Sequence, residues 1–260
     1  MNILKTIAEA KRAEVNAMKA LVAERELEER AGQAERRNNS IKDSILSTPG
    51  GIIAEFKRRS PSKGEILPMA NPEIVGEYAR AGAAASSVLT DTRFFGGSLA
   101  DLAIARKVAP QLPLLRKDFT VDPYQIYQAR IAGADAILLI AAILSAHEIA
   151  EFTEIAHRFS LEVLLELHDP SEINKISFDV DLIGVNNRDL RNFATNLEAS
   201  VNLASQLPPE AVKIAESGIT SPDDIVRLRQ AGFNGFLIGE AFMSTPNPAQ
   251  TLKQFINDSI

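Results

Sequence analysis

Glu55 and Lys57 stand two residues apart in an otherwise apolar run, Ile52-Ile-Ala-Glu-Phe-Lys. In a strand, that spacing turns both side chains to one face, so an acid and a base share a surface. Alanine or valine would serve a core better, whereas an acid beside a base suits proton transfer. The next residues add Arg58, Arg59 and Lys63 around Ser60-Pro61-Ser62, a local positive field suited to a small anion. Taken alone, the stretch reads equally as a solvated strand end followed by a basic loop. Recurrence argues for chemistry. Further apolar runs end in Thr90-Asp91-Thr92-Arg93-Phe94-Phe95, Arg116-Lys117-Asp118-Phe119, Glu166-Leu167-His168-Asp169, Asn186-Asn187-Arg188-Asp189, Glu216-Ser217-Gly218 and Gly239-Glu240.

Those ends need a frame that gathers them. Apolar, β-branched runs at Ile52–Phe56, Ser87–Leu89, Leu112–Leu115, Ala136–Ile140, Val163–Leu167, Leu182–Val185, Lys213–Ala215 and Phe236–Ile238 alternate with helical patterns. Helix starts are marked by a capping residue followed by proline at Asn71-Pro72, Asp122-Pro123, Asp169-Pro170, Ser221-Pro222 and Asn247-Pro248. The side chain caps free backbone donors, and proline at the first helical position loses no hydrogen bond. Ser145 with Glu148 forms a capping-box signature. Gly82, Gly133 and Gly232 precede strands and suit left-handed helix ends. Eight strand–helix units with short joints predict an α/β fold, a (β/α)8 TIM barrel. An open doubly wound sheet is disfavoured, because no Gly-x-Gly-x-x-Gly follows the first strand. Residues 1–47, rich in Ala, Glu, Lys, Arg and Leu, predict one or two extra helices that cover or plug the barrel. The whole of 1–260 is expected to be one such domain.

In a barrel of this kind the strand C-termini form the active site. Glycines after strands seven and eight, at Gly218 and Gly239, favour phosphate held by backbone N–H groups over simple tight turns. Phe94, Phe95 and Phe119 suit either the core or a wall for an aromatic substrate. Tyr124 and Tyr127, at helical spacing, predict packing. His147 and His157 read as exposed helix residues, and His168, near Glu166, as a structural histidine ahead of one that lines the pocket. No metal cluster is spelled out.

The net charge of −6 argues against general nucleic-acid or membrane-surface binding. The absence of cysteine excludes disulfides, thiolate catalysis and Cys-ligated zinc, and it fits a reducing cytoplasm. No apolar run approaches the ~20 residues that span a bilayer. The first residues are too charged for a signal peptide. A cytoplasmic protein with a small anionic substrate is expected; no protein partner is indicated.

Ile53-Ala-Glu-Phe-Lys-Arg-Arg-Ser-Pro-Ser resembles the signature of the indole-3-glycerol phosphate synthase family. Leu115-Arg-Lys-Asp-Phe, Leu164-Leu-Glu-Leu-His, Ile183-Gly-Val-Asn-Asn-Arg-Asp-Leu, Ala215-Glu-Ser-Gly-Ile and Leu237-Ile-Gly-Glu-Ala are similar to its later motifs, in the same order. The resemblance covers essentially the whole chain. It implies closure of 1-(2-carboxyphenylamino)-1-deoxyribulose 5-phosphate to an indole, with loss of CO2 and water and without cofactor or metal. It assigns Lys117 as the acid for ring closure, and Lys57, Glu166 and Glu55 jointly to the later proton transfers. Asn186 and Arg188 would orient the substrate and Ser60 would lie beside its carboxylate, while Phe95 and Phe119 answer its aromatic ring. Ser217, Gly218, Gly239 and Glu240 would hold phosphate, Glu240 through its backbone N–H with the carboxylate turned away. Two other readings remain open at this point. A phosphoribosyl anthranilate isomerase-like barrel would want a cysteine that this chain lacks. A catalytically silent partner barrel would have no reason to keep Lys57, Lys117 and Glu166. With room for one barrel, the chain is expected to be monofunctional.

Overall fold

The computed structural model describes residues 3–36, 39–67, 69–177, 179–188 and 194–260. Asp189 and Leu190, named above in the motif that begins at Ile183, lie outside them. Eight parallel strands form a closed barrel: β1 (Ile52–Phe56), β2 (Ala85–Leu89), β3 (Leu114–Lys117), β4 (Ala136–Ile140), β5 (Glu162–Leu167), β6 (Leu182–Asn186), β7 (Val212–Glu216) and β8 (Gly235–Ile238). Each pairs with its sequence neighbour, and β1 closes on β8 through Ile52↔Phe236, Ile53↔Leu237 and Ala54↔Ile238. Strands buried on both faces read as continuous apolar runs, which is why the sequence shows them so clearly. Their alternation splits the core in two. Ile53, Leu115, Leu164 and Ile214 belong to the barrel interior, while Ile52, Phe56, Val88 and Leu139 pack with the outer helices.

Several boundaries differ from those expected, two of them for a plain physical reason. The third strand begins at Leu114, not Leu112, because Pro113 has no N–H for a ladder. It then runs through Arg116 and Lys117, so both charges are strand residues. Asn71 does not cap a helix directly; its side chain accepts from the Glu73 N–H (3.1 Å) in a turn before α4 (Ile74–Ala81).

The outer helices include α5 (Thr92–Phe95), α6 (Leu99–Val108), α7 (Pro123–Ala132), α8 (Ala146–Arg158), α9 (Leu197–Ala204), α10 (Pro222–Gln230), α11 (Glu240–Met243) and α12 (Pro248–Asp258). Asp122, Ser221 and Asn247 cap α7, α10 and α12 as the sequence predicts, and Ser145 with Glu148 completes the capping box of α8. Asp169-Pro170 opens a short 3-10 helix, Pro170–Lys175, instead of an α-helix. No helix among the described residues is long and apolar enough to cross a membrane.

Ahead of the barrel the chain forms three helices where one or two were expected: α1 (Ile3–Leu21), α2 (Glu24–Gln33) and α3 (Ile41–Ser47). They reach opposite ends of the barrel. Ile41 and Ile45 of α3 are buried with Ile53, Ala84, Leu182 and Val212, at the N-terminal ends of the strands. Each such side chain contributes about 1.5–3 kcal/mol through burial. The first backbone donors of α3, Ile41 N and Lys42 N, are received by the Glu162 carboxylate at 2.7 and 3.2 Å. Leu4 and Ile7 of α1 instead meet Phe119 and Ile140, at the C-terminal ends. Both predicted roles, plug and cover, are therefore filled, by different helices.

Candidate active site

A cavity of about 770 Å³ opens at the C-terminal ends of the strands. Its floor follows from the layer rule of such barrels, in which alternate strands contribute four side chains to each interior layer. Ile53, Leu115, Leu164 and Ile214 come from β1, β3, β5 and β7. Two residues further along each strand stand Glu55, Lys117, Glu166 and Glu216, all lining the cavity. The apolar layer is thus followed by a charged one.

Lys117 is at its centre. Nζ lies 2.9 Å from Glu166 Oε2 and 3.1 Å from Glu216 Oε2. Glu55 Oε1 is taken up by Lys57 Nζ at 2.6 Å, so the acid and base spaced two apart do share one face. Burial works against the Lys117 charge, but Glu166, Glu216 and Glu55 together outweigh it and raise its pKa. Burial would also raise the Glu166 carboxyl; Lys117 and His168 override it and bring it to about 2. Glu216 goes the other way. Burial, joined by the charge of Glu166, pushes it up to about 8 despite Lys117. Neither Glu216 oxygen accepts a well-aligned hydrogen bond. One carboxylate and one near-neutral acid therefore flank a single ammonium.

This arrangement has a pH signature. A glutamate whose folded pKa lies above its unfolded value favours folding least when ionised, so Glu216 withdraws stability as pH rises from about 4.5 toward 8. Glu216→Gln is expected to melt several degrees above the parent at pH 9 and close to it at pH 5. Equal offsets at both pH values would contradict the raised pKa.

Glu216 was among the strand-end residues in the sequence but received no role. The structure shows why it fits. Gly184 of the neighbouring strand β6 lies beside it, and a Cβ there would overlap Glu216 Oε1 and come within 3.3 Å of Leu164 Cδ1. A glycine inside a strand marks such a close approach, and that was the available signal.

One side of the cavity is apolar. The Phe95 and Phe119 rings lie 5.9 Å apart at 39°, joined by Ile3, Leu4 and Ile7 of α1. Both phenylalanines are wall residues, and Phe94 does not line the cavity. Tyr124 and Tyr127 are buried in packing. His168 departs from its expected structural role: it lines the cavity with Nε2 3.2 Å from Glu166 Oε1.

At the far side, Ser217 (φ 67°) and Gly218 (φ 73°) are consecutive left-handed residues. A left-handed serine costs of order 1–3 kcal/mol and persists only where its surroundings impose it. Asn187 does so, donating to Glu216 O (2.9 Å) and Ser217 O (2.8 Å). Gly239 also lines this side and lets Glu55 lie across its backbone, where a Cβ would overlap Oε1.

The basic loop divides its charges. Arg58 binds both Asp101 oxygens (2.7 and 2.8 Å) and Arg59 donates to Thr92 O and Arg93 O, so these two hold the loop instead of facing a ligand. Ser60 and Lys63 line the cavity with Asn186 and Arg188. The Glu240 carboxylate is occupied by Lys63 Nζ at 3.2 Å and Arg188 Nη2 at 3.5 Å.

A closed parallel barrel with a lysine-centred acid–base cluster at its strand C-termini has the form of a barrel enzyme. Residues 4–255 match the family model for indole-3-glycerol phosphate synthase. The chain belongs to that family. It is 50% identical over 256 residues to the indole-3-glycerol phosphate synthase of Bacteroides thetaiotaomicron, covering 98% of each chain. Against the synthase of the same name from Laribacter hongkongensis it is 48% identical over 205 residues, covering 78% of each. Among solved structures, a 3-hexulose-6-phosphate synthase superposes with TM-score 0.64 at 15% identity, covering 81% of this chain and all of that one. Thiamine phosphate pyrophosphorylase from Pyrococcus furiosus gives 0.61 at 13%, covering 85% of this chain and all of that one. At such identities these two show the fold alone. Family membership sets aside the isomerase-like reading.

Proposed function

We propose that the cavity converts 1-(2-carboxyphenylamino)-1-deoxyribulose 5-phosphate to indole-3-glycerol phosphate, CO2 and water. The observation that carries the roles is the charged layer around Lys117. The Lys117 ammonium, kept protonated by its carboxylate neighbours, donates to the ribulose carbonyl oxygen as the carboxylate-bearing ring carbon attacks the carbonyl carbon. The new C–C bond forms, and the carbonyl becomes a hydroxyl. CO2 then leaves, returning its electron pair to the ring. Loss of the hydroxyl as water requires an acid, and removal of a proton from the adjacent carbon requires a base. Lys57, Glu55 and Glu166 share these steps, with Glu216 as a further proton carrier beside Lys117.

Phe95 and Phe119 fit the benzoate ring, Ser60 fits its carboxylate, and Asn186 with Arg188 fits the ribulose chain. Phosphate belongs at Ser217, Gly218 and Gly239, with Glu240 contributing its backbone N–H. The Lys63 and Arg188 contacts of the Glu240 carboxylate support the view that it offers phosphate no negative face. The packing of α1 and α3 on the barrel supports residues 1–260 acting as one unit, and the absence of cysteine supports a cytoplasmic location.

The test is a fluorescence assay with the carboxyphenylamino-deoxyribulose phosphate. The chain has no tryptophan and three tyrosines, so indole product emission stands clear of the protein. Product formation is expected. A folded protein that forms none would leave the silent-barrel reading in its place.

A further inference from the structure

Helix α1 carries a charge in the middle of its buried stripe. Leu4, Ile7, Ala8 and Val15 form the apolar face, and Lys11 lies among them, only 2% exposed. A buried ammonium must find partners. Lys11 Nζ lies 3.0 Å from Asp91 Oδ2 and 3.2 Å from Asp118 Oδ1, both buried, and 3.0 Å from the more exposed Glu14. It does not line the cavity.

What those two aspartates do next gives Lys11 its meaning. Asp91 Oδ1 accepts from Phe94 N (2.6 Å) and Phe95 N (3.2 Å), capping the short α5 that presents Phe95. Asp118 Oδ1 accepts from Phe119 N (2.8 Å), while its Oδ2 is held by Thr90 and Arg116. Phe95 and Phe119 are the ring pair of the cavity wall, and Leu4 and Ile7 complete that wall from α1 itself. One ammonium thus joins the three segments that build the apolar side. Nothing in this chain of contacts reaches Ser217, Gly218 or Gly239.

We propose that Lys11 is a positioning residue that clamps α1 to Asp91 and Asp118 and thereby sets the Phe95–Phe119 wall that receives the aromatic ring. The proposal rests on the synthase reading above for its ligand, and on the contacts alone for the clamp. A loosened wall weakens capture of the ring without removing any proton-transfer group, so the cost falls on KM.

The experiment compares the parent with Lys11→Met in three readouts: steady-state KM and kcat, competitive inhibition by inorganic phosphate, and amide hydrogen exchange. The expected result is a KM raised about tenfold or more with kcat within about threefold. Phosphate inhibition stays unchanged, and exchange accelerates selectively at Phe94, Phe95 and Phe119. An unchanged KM in the folded variant overturns the proposal. So does a uniform rise in exchange with phosphate inhibition weakened alongside KM, which is the pattern of a merely structural residue. If Lys11→Met fails to fold, Lys11→Met/Asp91→Asn leaves one fewer charge unpaired and keeps a capping side chain. It must then show the same KM–phosphate split. If the parent makes no indole product, the synthase reading fails, and exchange alone decides the clamp: selective loss at those three amides supports it, uniform or absent change overturns it.

Discussion

Methionine in place of Lys117 is expected to lower kcat by about 10²–10⁴-fold while the protein stays folded. The substitution keeps an unbranched chain and removes only the ammonium. Two losses coincide. The carbonyl oxygen no longer has a donor, and Glu166, now lacking the cation that held it 2.9 Å away, loses its main reason to stay ionised. A residue that both donates a proton and fixes the state of a neighbouring carboxylate should fall toward the severe end of that range. KM should move little, because Phe95, Phe119 and the phosphate side are untouched. Single-turnover fluorescence of the product measures it, with a melting curve to show the variant is folded. A kcat within tenfold of the parent would remove Lys117 from the chemistry.

Gly184→Ala is expected to reduce kcat by about 100-fold, through displacement of a carboxylate it never touches covalently. The added Cβ would overlap Glu216 Oε1, and with Leu164 Cδ1 3.3 Å away on the other side the new methyl cannot retreat. Glu216 must turn off Lys117 or the strands must part. Overpacking of this kind costs about 1–3 kcal/mol. Gly32→Ala is the control: nothing lies within 4 Å of a Cβ there, and alanine in the last turn of α2 should stabilise by at most about 0.5–1 kcal/mol. A Gly184→Ala protein with parental kcat would show that Glu216 has no part in turnover.

The barrel was legible because its signals are local. Apolar runs, capping side chains at Asp122, Ser221 and Asn247, and left-handed glycines ending α4 and α7 each need only their own neighbours to act. Glu55 and Lys57 were legible for the same reason: their juxtaposition is a property of one strand. Glu216 depends on register. Gly184 pairs with Ile214, and Asn186 with Glu216, across two strands whose relative slide no local pattern states. The layer rule offered a route, since β1, β3 and β5 had each supplied a charged end and β7 was the remaining alternate strand. Lys11 had no such route. Its meaning comes from where α1 lies on the barrel, which is a tertiary fact. The loop arginines mislead for a related reason, since an Arg that folds a loop and an Arg that awaits an anion look alike in one dimension.

The seating of α3 bears on how the chain is made. Ile45 lies against Gly235 of the last strand, where a Cβ would come within 3.1 Å of it, and its helix N-terminus waits on Glu162 of the fifth. Arg229 of α10 donates to Pro49 O and Gly50 O, just after α3. These partners lie more than a hundred residues downstream. A segment that leaves the ribosome well before its partners therefore finds its place only after them, held in suspense until the eighth strand arrives. Closing the ring and seating its base are one event, and a truncation that removes β8 should leave both ends of the chain without a home.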